Sequence, residues 1–295
     1  MDNKLTKSIE NTLYYFGIFK YPLTIQQLHT YLPITANIEA VKEAVAVLKK
    51  EGKLFEKEAN YFLKNDFGWL SRKVEGAEKA RLQVIHAKKI ARQIYQFPFV
   101  KSVSISGSLS KGYADNQSDF DFFIITTKNR LWICRTILHL FKKTQFLFGR
   151  QHLYCMNYFI TDNNLTIEEQ NLYTAYELLT LIGCEGSTSF NQLMSENPWV
   201  KNFLPNSTEN KMIEKNDTTS FLKQVAETVL NSCFPESLNR YLMRLTDKRW
   251  RLKWTRKGYD MTQYDLAFKT RIDVSKNHKH NYQKYVLDKI SNQKN

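Results

Sequence analysis

Apolar residues recur at helical spacing along the first fifty residues and predict three short helices separated by breaks. The first helix has its apolar positions on one face, at Leu5, Ile9, Leu13 and Phe16. Thr24 and Gln27 form a capping box that begins a short second helix. A third helix is predicted over residues 38–51, where Asn37 can cap its start and Gly52 can end it.

The apolar pattern then changes to alternation over residues 54–57 and 61–63, around the turn residues Ala59 and Asn60, which predicts a β-hairpin. Three helices followed by a hairpin resemble a winged helix, so residues 1–66 are defined as a winged-helix-like domain. A third helix that binds DNA needs net positive charge. Here the lysines are balanced by glutamates, with Lys42, Lys49 and Lys50 against Glu39, Glu43 and Glu51. The pattern therefore favours a docking or protein-contact module over DNA binding.

A long helix over residues 75–96 leads into a segment in which short apolar strands alternate with helices. Strands are predicted at residues 100–106, 120–127 and 153–161. The second strand is apolar on both faces after Asp121, as in a strand that is covered on both sides. Asn129 can cap the helix that follows it, to about residue 143. The expected fold class is α/β, with a mixed-sheet core in residues 67–164.

The remaining chain, residues 165–295, is predicted to be a helical, basic domain. A capping-box sequence at residues 166–169 predicts a helix that continues to about residue 184, and residues 221–233 predict an amphipathic helix. Residues 238–257 hold eight basic residues against one aspartate, with Trp250 and Trp254 one helical turn apart. Two interpretations stay open for this stretch: a packed aromatic stripe with solvated basic flanks, or a basic surface that faces nucleotide phosphates or RNA.

The chain as a whole carries a net charge of +14 and a pI near 9.4, which suggests a polyanionic partner or a nucleotide substrate. No apolar run reaches the roughly 18 residues of a membrane span, and the N-terminus lacks the pattern of a signal peptide. We therefore expect a cytoplasmic protein without a membrane partner. The four cysteines are widely spaced, and we expect them to be buried, reduced thiols.

Candidate chemistry is concentrated between the first two core strands. Asp119 and Asp121 are two residues apart at the start of the second predicted strand, so their carboxylates should point to the same face. Two such oxygen ligands beside a phosphate-sized gap suit Mg²⁺ that carries a nucleotide. Gly107 and Ser108 turn into a short helix, where glycine lets the backbone approach a phosphate and free N–H groups can bind an anion. Lys111 is either a phosphate contact or an exposed helix lysine.

Three short motifs together resemble the signature of the DNA polymerase beta-like nucleotidyltransferase superfamily, most closely its minimal and aminoglycoside-type members. They are Gly107-Ser108, Lys111-Gly112 and Ser118-Asp119-Phe120-Asp121, and with their flanking strands they cover residues 100–161. The resemblance implies that Asp119 and Asp121 bind Mg²⁺ and are catalytic, and that Gly107 and Ser108 hold the β- and γ-phosphates. Lys111 and Ser118 complete the expected nucleotide-binding residues, with Ser118 chiefly supporting the turn. The implied reaction moves a nucleoside monophosphate from a nucleoside triphosphate, expected to be ATP, to an acceptor that the sequence does not identify.

One position departs from the superfamily pattern, which often has a third carboxylate on the third strand. Residues 153–161 contain no acid, and the nearest equivalent is Asn157. Its carbonyl oxygen can bind a metal, but an amide cannot act as a base. A base could come from elsewhere, such as His152, or from the acceptor. The alternative function is a nucleotide-binding regulator or interaction protein that has lost turnover and contacts DNA or a protein through its winged-helix-like domain.

Overall fold

The computed structural model describes residues 3–115, 118–208, 217–278 and 281–294. The chain forms a mixed α/β fold around a six-stranded sheet, with helices on both faces and a separate two-stranded hairpin in the N-terminal part. The expected α/β class is therefore confirmed.

The N-terminal part contains three helices and a hairpin in the predicted order. They are α1 (Asn3–Ile18), α2 (Ile25–Tyr31), α3 (Ile38–Lys50), β1 (Phe55–Lys57) and β2 (Asn60–Phe62). Both predicted caps are confirmed, because the side chains of Thr24 and Asn37 accept backbone N–H bonds from the first turns of α2 and α3. Gly52 follows α3 with a φ of 71°, the left-handed conformation expected of a residue that ends a helix.

The hairpin turn lies one residue earlier than predicted. Glu58 and Ala59 take the positive φ values of 50° and 55°, and Asn60 is already the first residue of β2. Two central residues with positive φ give the turn twist that matches the twist of the paired strands. Leu23, between α1 and α2, forms a β-bridge with Tyr61 and so adds a third short extended segment to this hairpin.

The segment that follows has the predicted alternation of strands and helices. It consists of α4 (Gly68–Tyr95), β3 (Val100–Ile105), α5 (Gly107–Ser110), β4 (Asp121–Thr126), α6 (Leu131–Phe146) and β5 (Cys155–Thr161), with a 3₁₀ turn over Gln151–Leu153. α4 begins earlier than residue 75, because Trp69 and Leu70 are also buried along its length. The predicted cap at Asn129 is wrong: this residue has a φ of 58°, and α6 begins after Arg130 without a side-chain cap.

The prediction that the remaining chain is helical is wrong in part, because it supplies three strands to the same sheet. The helices are α7 (Leu172–Leu179), α8 (Ser187–Ser195), α9 (Val200–Phe203), α10 (Phe221–Cys233), α11 (Glu236–Arg256), α12 (Tyr264–Ala267) and α13 (Tyr282–Lys294), with a 3₁₀ turn over Met261–Gln263. The strands are β6 (Ile182–Glu185), β7 (Phe268–Thr270) and β8 (Val274–Asn277). Strands of three or four residues are too short to give a clear period-two pattern. They are held extended by pairing, β6 to β3, β8 to β5, and β7 to β8.

The predicted capping box at residues 166–169 does not form. Glu168 and Glu169 instead make ion pairs with Lys269, at 3.1 and 2.9 Å, and Glu169 also pairs with Lys276 at 3.1 Å. These pairs hold the segment before α7 against the last two strands. α7 begins later than predicted and is capped by Asn171, whose side chain accepts the Thr174 N–H. Tertiary ion pairs therefore decided where this helix begins.

The six strands lie in the order β6-β3-β4-β5-β8-β7, and β4 and β5 form the one parallel pair. The central strand β4 is buried on both faces, as predicted. Phe123 and Ile125 face a core shared with α1, α2, α3, α7 and α8, whereas Phe122 and Ile124 face a core built with α4 and α6. The start of β4, where Asp121 lies, is thus held between two packed helical layers.

The N-terminal helices pack directly against the helical layer of the sheet. The ring of Tyr176 on α7 lies 4.5 Å from the ring of Tyr15 and 5.3 Å from that of Phe16. The Tyr176 hydroxyl donates a 2.8 Å hydrogen bond to the carbonyl of Tyr31 at the end of α2. The N-terminal part and the sheet therefore share one hydrophobic core.

The four cysteines are free thiols. Cys134 is buried and Cys155 and Cys184 are partly buried, but Cys233 is exposed, so the expectation of burial is wrong for that residue. Within the described ranges, we find no helix with the combined length and apolarity needed to cross a membrane.

Gly186→Ala is expected to lower the free energy of unfolding by about 2–5 kcal/mol. Gly186 has a φ of 73°, and a Cβ there would lie 1.9 Å from the carbonyl oxygen of Lys101 in β3. Gly258→Ala is the matched control, because Gly258 has a φ of 69° and nothing within 4 Å of its Cβ position. Urea unfolding should show a loss for Gly186→Ala that clearly exceeds the roughly 1–2 kcal/mol of the control. Equal losses would mean that the close approach of β3 does not constrain Gly186.

Candidate active site

The candidate site lies where β3 ends and β4 begins. The two antiparallel strands are joined there by a 2.9 Å hydrogen bond from the N–H of Ser106 to the carbonyl of Asp121. Gly107 follows with a φ of 69° and begins α5. A Cβ on Gly107 would lie 2.5 Å from Oδ2 of Asp121, so only glycine lets the turn and this carboxylate meet.

Ser108 and Lys111 complete this turn. The carbonyl of Ser108 accepts the N–H groups of Lys111 and Tyr113, while its hydroxyl side is exposed. The ammonium group of Lys111 donates to the carbonyl of Gly107 at 3.0 Å and to a carboxylate oxygen of Glu177 at 2.9 Å. Lys111 is thus held against the turn by these two bonds.

Asp119 does not lie in a strand, contrary to the prediction. β4 begins at Asp121, and Asp119 is an exposed loop residue just before it. Phe120 nevertheless makes two backbone hydrogen bonds to the neighbouring segment. Its N–H donates to the carbonyl of His152 at 3.2 Å, and its carbonyl accepts the N–H of Cys155 at 3.1 Å. Asp119 is therefore attached to an anchored segment, and its carboxylate is close enough to act on the pKa of Asp121.

Ser118 takes the supporting position that was predicted for it. Its hydroxyl accepts the N–H of Asp115 at 2.9 Å and donates to the Asp115 carboxylate at 2.8 Å. The Ser118 hydroxyl therefore stabilises the loop through Asp115, and these bonds do not involve the Gly107 turn. His152 is an exposed residue of the 3₁₀ turn before β5, and its contribution to the site is the backbone carbonyl that holds Phe120.

Asn157 lies directly beside Asp121, because of an irregularity in β5. Residues Phe122 and Phe123 of β4 pair with Met156 and Tyr158, so Asn157 is an extra residue in the ladder. Such a bulge re-aims a side chain. The amide nitrogen of Asn157 donates to Oδ1 of Asp121 at 3.2 Å, and it also lies 3.0 Å from the sulfur of Cys155.

The environment of Asp121 shifts its titration strongly. Burial raises the pKa of this carboxyl from 3.8 to about 6, against the opposing effect of a hydrogen bond from Cys155. The negative charges of Asp119 and Glu177 raise the pKa further, and the positive charge of Lys111 lowers it. A partly buried carboxylate among other carboxylates is a place where a cation would be stabilised.

The donor set fits Mg²⁺ that is brought in by a nucleotide. Throughout the described residues, no three side chains of His, Cys, Asp or Glu converge closely enough to hold a metal ion by themselves. Mg²⁺ does not require such a cage, because it is commonly held by one or two carboxylates together with water and substrate phosphates. Asp119 and Asp121 supply two carboxylates, and Asp121 lies directly against the Gly107 turn.

Sequence reasoning missed Glu177 and Tyr173, both on α7. Glu177 binds Lys111, and burial raises the pKa of Tyr173 well above its usual range, with the charges of Glu177 and Asp121 adding to the shift. Their spacing of four residues on one helix face was the available signal. It could not be used, because nothing in the sequence placed α7 beside the Gly107 turn.

The basic stretch predicted as a nucleotide or RNA surface forms α11. Its two tryptophans point inward, because Trp250 and Trp254 pack on Phe268, at ring distances of 6.1 and 5.0 Å. The packed aromatic stripe is therefore confirmed, and stacking by these two rings on a bound base is not expected. The cations on the opposite side of α11 are exposed.

Comparison with known proteins gives no relative for this chain: no family model matches it, and neither a curated protein nor a solved structure is found to match.

Proposed function

We propose that the protein is a magnesium-dependent nucleotidyltransferase of the type that its motifs resemble, with a nucleotidyltransferase-like sheet core and a winged-helix-like N-terminal domain. The observation that carries the proposal is the contact between the Gly107 turn and the Asp121 carboxylate. Glycine is required there by both its φ and the 2.5 Å approach, and this contact brings a phosphate-binding backbone next to a metal-binding side chain.

Each residue has a physical role in this proposal. The N–H groups at the start of α5 and the exposed hydroxyl of Ser108 hold phosphate oxygens, and Lys111 adds positive charge beside them. Asp119 and Asp121 hold Mg²⁺, which when bound neutralises charge on the triphosphate and its leaving group. The partly buried position of Asp121 makes its carboxylate a favourable ligand for that cation.

Glu177 positions Lys111 rather than replacing the absent strand carboxylate. Its oxygen lies 2.9 Å from the Lys111 ammonium, which also binds the carbonyl of Gly107. The side chains of Lys111 and Glu177 are 29% and 28% exposed, so the pair is partly screened from water and holds the long lysine side chain in one direction. Loss of the carboxylate should free the lysine to leave the turn.

Glu177→Gln is expected to raise KM for the nucleotide by roughly tenfold, since a misplaced Lys111 loses its phosphate contact. If Glu177 acts through Lys111, adding Glu177→Gln to Lys111→Met should cause no further loss. Glu39→Gln is the matched control, because it breaks an exposed Lys–Glu pair of 2.8 Å on α3, away from the site. Steady-state kinetics would contradict the positioning role if the two losses were fully additive.

The proposed reaction is tested by supplying each α-labelled nucleoside triphosphate with Mg²⁺ and candidate acceptors, including cell extract. We expect label to appear in an acceptor with release of pyrophosphate, and to disappear in Asp119→Asn and Asp121→Asn proteins. Absence of any labelled product with wild-type protein would defeat the proposal. A nucleotide-binding titration in the same samples separates a protein that does not bind from one that binds without turnover.

A second candidate is a nucleotide-binding regulator that has lost turnover, and Asn157 favours it. Its amide nitrogen faces Asp121 at the position where the resemblance predicts a third carboxylate. In this case the N-terminal domain would contact a protein rather than DNA, since the α3 lysines Lys42 and Lys49 are paired with glutamates at 2.8 and 2.7 Å. Nucleotide binding without label transfer would support this candidate, provided that the Asn157→Asp protein also binds nucleotide and transfers no label.

A further inference from the structure

The outer side of α11 carries a row of cations that the proposed reaction does not use. Besides Arg251, which is ion-paired, and Lys253, which lies over Trp254, five exposed cations form what we call the basic face: Arg240, Arg244, Lys248, Arg249 and Arg256. The first three are four residues apart, so they lie on one side of the helix at axial intervals of about 6 Å. Tyr241 and Leu252 are exposed among them, at 60% and 49% of their surface.

These five cations have no carboxylate partner among the parts of the chain that the structure describes. The ion pairs of α11 involve Arg251, which binds Asp247 at 3.0 Å and Asp265 at 3.2 Å. The exposed lysines of α3 differ, because Lys42 and Lys49 are compensated by glutamates. Uncompensated charge of one sign therefore accumulates on α11, and this favours an external polyanion.

The inner side of α11 is fixed to the protein, so the basic face is presented rigidly. Asn239 is completely buried and its side-chain oxygen accepts the N–H of Trp132 at 2.9 Å. Further along, Trp250 stacks with Arg135, whose guanidinium lies 4.7 Å from the ring centre, and Trp254 packs on Phe268. The inner side of the helix is therefore packed, and of the large apolar side chains of α11 only Tyr241 and Leu252 are exposed.

This arrangement distinguishes a nucleic acid from a membrane as the partner. A helix that lies in a membrane interface needs a free apolar face opposite its charges, but that face of α11 packs on the core. Four of the five cations are arginines, which bind phosphate through two parallel N–H bonds. The exposed ring of Tyr241 can stack on an unpaired base.

We propose that the basic face of α11 binds the phosphodiester backbone of a nucleic acid. Leu242 and Met243 of α11 pack on the core that α4 and α6 form, whereas Asp121 is on the same side of β4 as Phe123 and Ile125, which face the other core. Binding is therefore separate from the nucleotidyl-transfer site, and it stands whether or not the protein turns over a nucleotide.

The test is fluorescence anisotropy of the full chain with labelled single-stranded RNA and labelled duplex DNA, at several salt concentrations and without nucleotide. The main variant combines Arg244→Gln, Lys248→Gln and Arg249→Gln. We expect its affinity at about 0.1 M salt to fall at least tenfold. We also expect its log–log salt slope to become shallower by about 2, since each lost phosphate contact removes about 0.7 from the slope for a single strand. The two ligands show whether the phosphates come from a single strand or a duplex.

The matched control combines Arg81→Gln, Lys88→Gln and Lys89→Gln, which removes the same charge from exposed positions on α4. The control should keep the wild-type affinity and slope. Equal losses in both variants would show diffuse attraction and overturn the proposal, as would equal slopes for wild-type protein and the α11 variant. Binding to phosphatidylserine vesicles without binding to either nucleic acid would assign the surface to a membrane and also overturn it.

The role of Tyr241 is tested separately in the same anisotropy assay. Tyr241→Phe keeps an aromatic ring and should bind single-stranded RNA as the wild type does, whereas Tyr241→Ala should lose roughly tenfold in affinity. Unchanged affinity in Tyr241→Ala would overturn the stacking contact. Circular dichroism of each variant shows that the helix is retained, because all substituted side chains are exposed.

Discussion

Asp121→Asn is expected to abolish nucleotidyl transfer and, at neutral pH, to stabilise the folded protein. The loss of activity should be at least about 10³-fold, because the substitution removes a carboxylate that would hold the catalytic cation. The gain in stability follows from burial, which raises the pKa of Asp121 to about 6. The amide is neutral at every pH, and it can still accept the hydrogen bond from Asn157.

The sign of the pH dependence follows from the two pKa values. The carboxyl titrates near 3.8 in the unfolded chain and near 6 in the folded protein, so the unfolded state loses its proton first as the pH rises. The contribution of Asp121 to stability is fully present below pH 3.8, falls through the window from 3.8 to 6, and is lost above it. Between low and high pH, the contribution of Asp121 to the free energy of unfolding changes by roughly 3 kcal/mol at most. Asp121→Asn should be free of this loss.

Urea unfolding at pH 4 and pH 7.5, without nucleotide or Mg²⁺, measures the effect. Asp119→Asn is the matched control, because Asp119 is exposed and its neutralisation should cost activity without a comparable gain in stability. Equal stability of wild-type and Asp121→Asn proteins at pH 7.5 would contradict the raised pKa of this carboxyl. Retained transfer activity would remove Asp121 from the proposed mechanism.

Gly107→Ala is expected to lower transfer activity by at least about 100-fold and to weaken nucleotide binding. The new Cβ would lie 2.5 Å from the Asp121 carboxylate and 3.2 Å from the Cβ of Asp121. Either the turn or the carboxylate must move, and a displacement of the order of an ångström misplaces the phosphate relative to the cation. The positive φ of Gly107 adds about 1–2 kcal/mol of backbone strain.

Gly112→Ala separates these two effects. Gly112 has a φ of 73° in the same loop, but nothing lies within 4 Å of its Cβ position. It should therefore show the backbone cost in a thermal or urea unfolding experiment while keeping most of the activity. Similar losses of activity in both variants would indicate that the loop backbone, and not the approach to Asp121, is what the reaction requires.

Local structure was largely predictable because its causes are local. The capping box at Thr24 and the cap at Asn37 satisfy N–H groups of the helices that they begin. The double-sided burial of β4 is visible as an unbroken apolar run. The failures lie where distant contacts compete with a local signal: residues 166–169 have the sequence of a cap, but Glu168 and Glu169 bind lysines of β7 and β8.

Helix α10 shows that periodicity gives a helix without deciding which side is buried. Its bounds agree with the prediction, yet Phe221 and Leu222 are 76% and 79% exposed while Lys223 is buried. The Lys223 ammonium donates to the carbonyls of Tyr95 and Val100, at 2.7 and 2.6 Å. These two carbonyls, at the end of α4 and the start of β3, lie beside Lys223 only in the folded chain.

The sequence by itself determined the groups of the candidate site that are close along the chain: the Gly107-Ser108 turn, Lys111 and the two aspartates. Their spacing is fixed by two strands and one short connection, so a motif can express it. Only the tertiary structure brought Glu177 to Lys111 and set Asn157 against Asp121 through a bulge in β5. It also decided that the tryptophans of α11 are core and its arginines surface. These outcomes depend on how helices pack on a sheet, and packing is set by contacts between residues far apart in the chain.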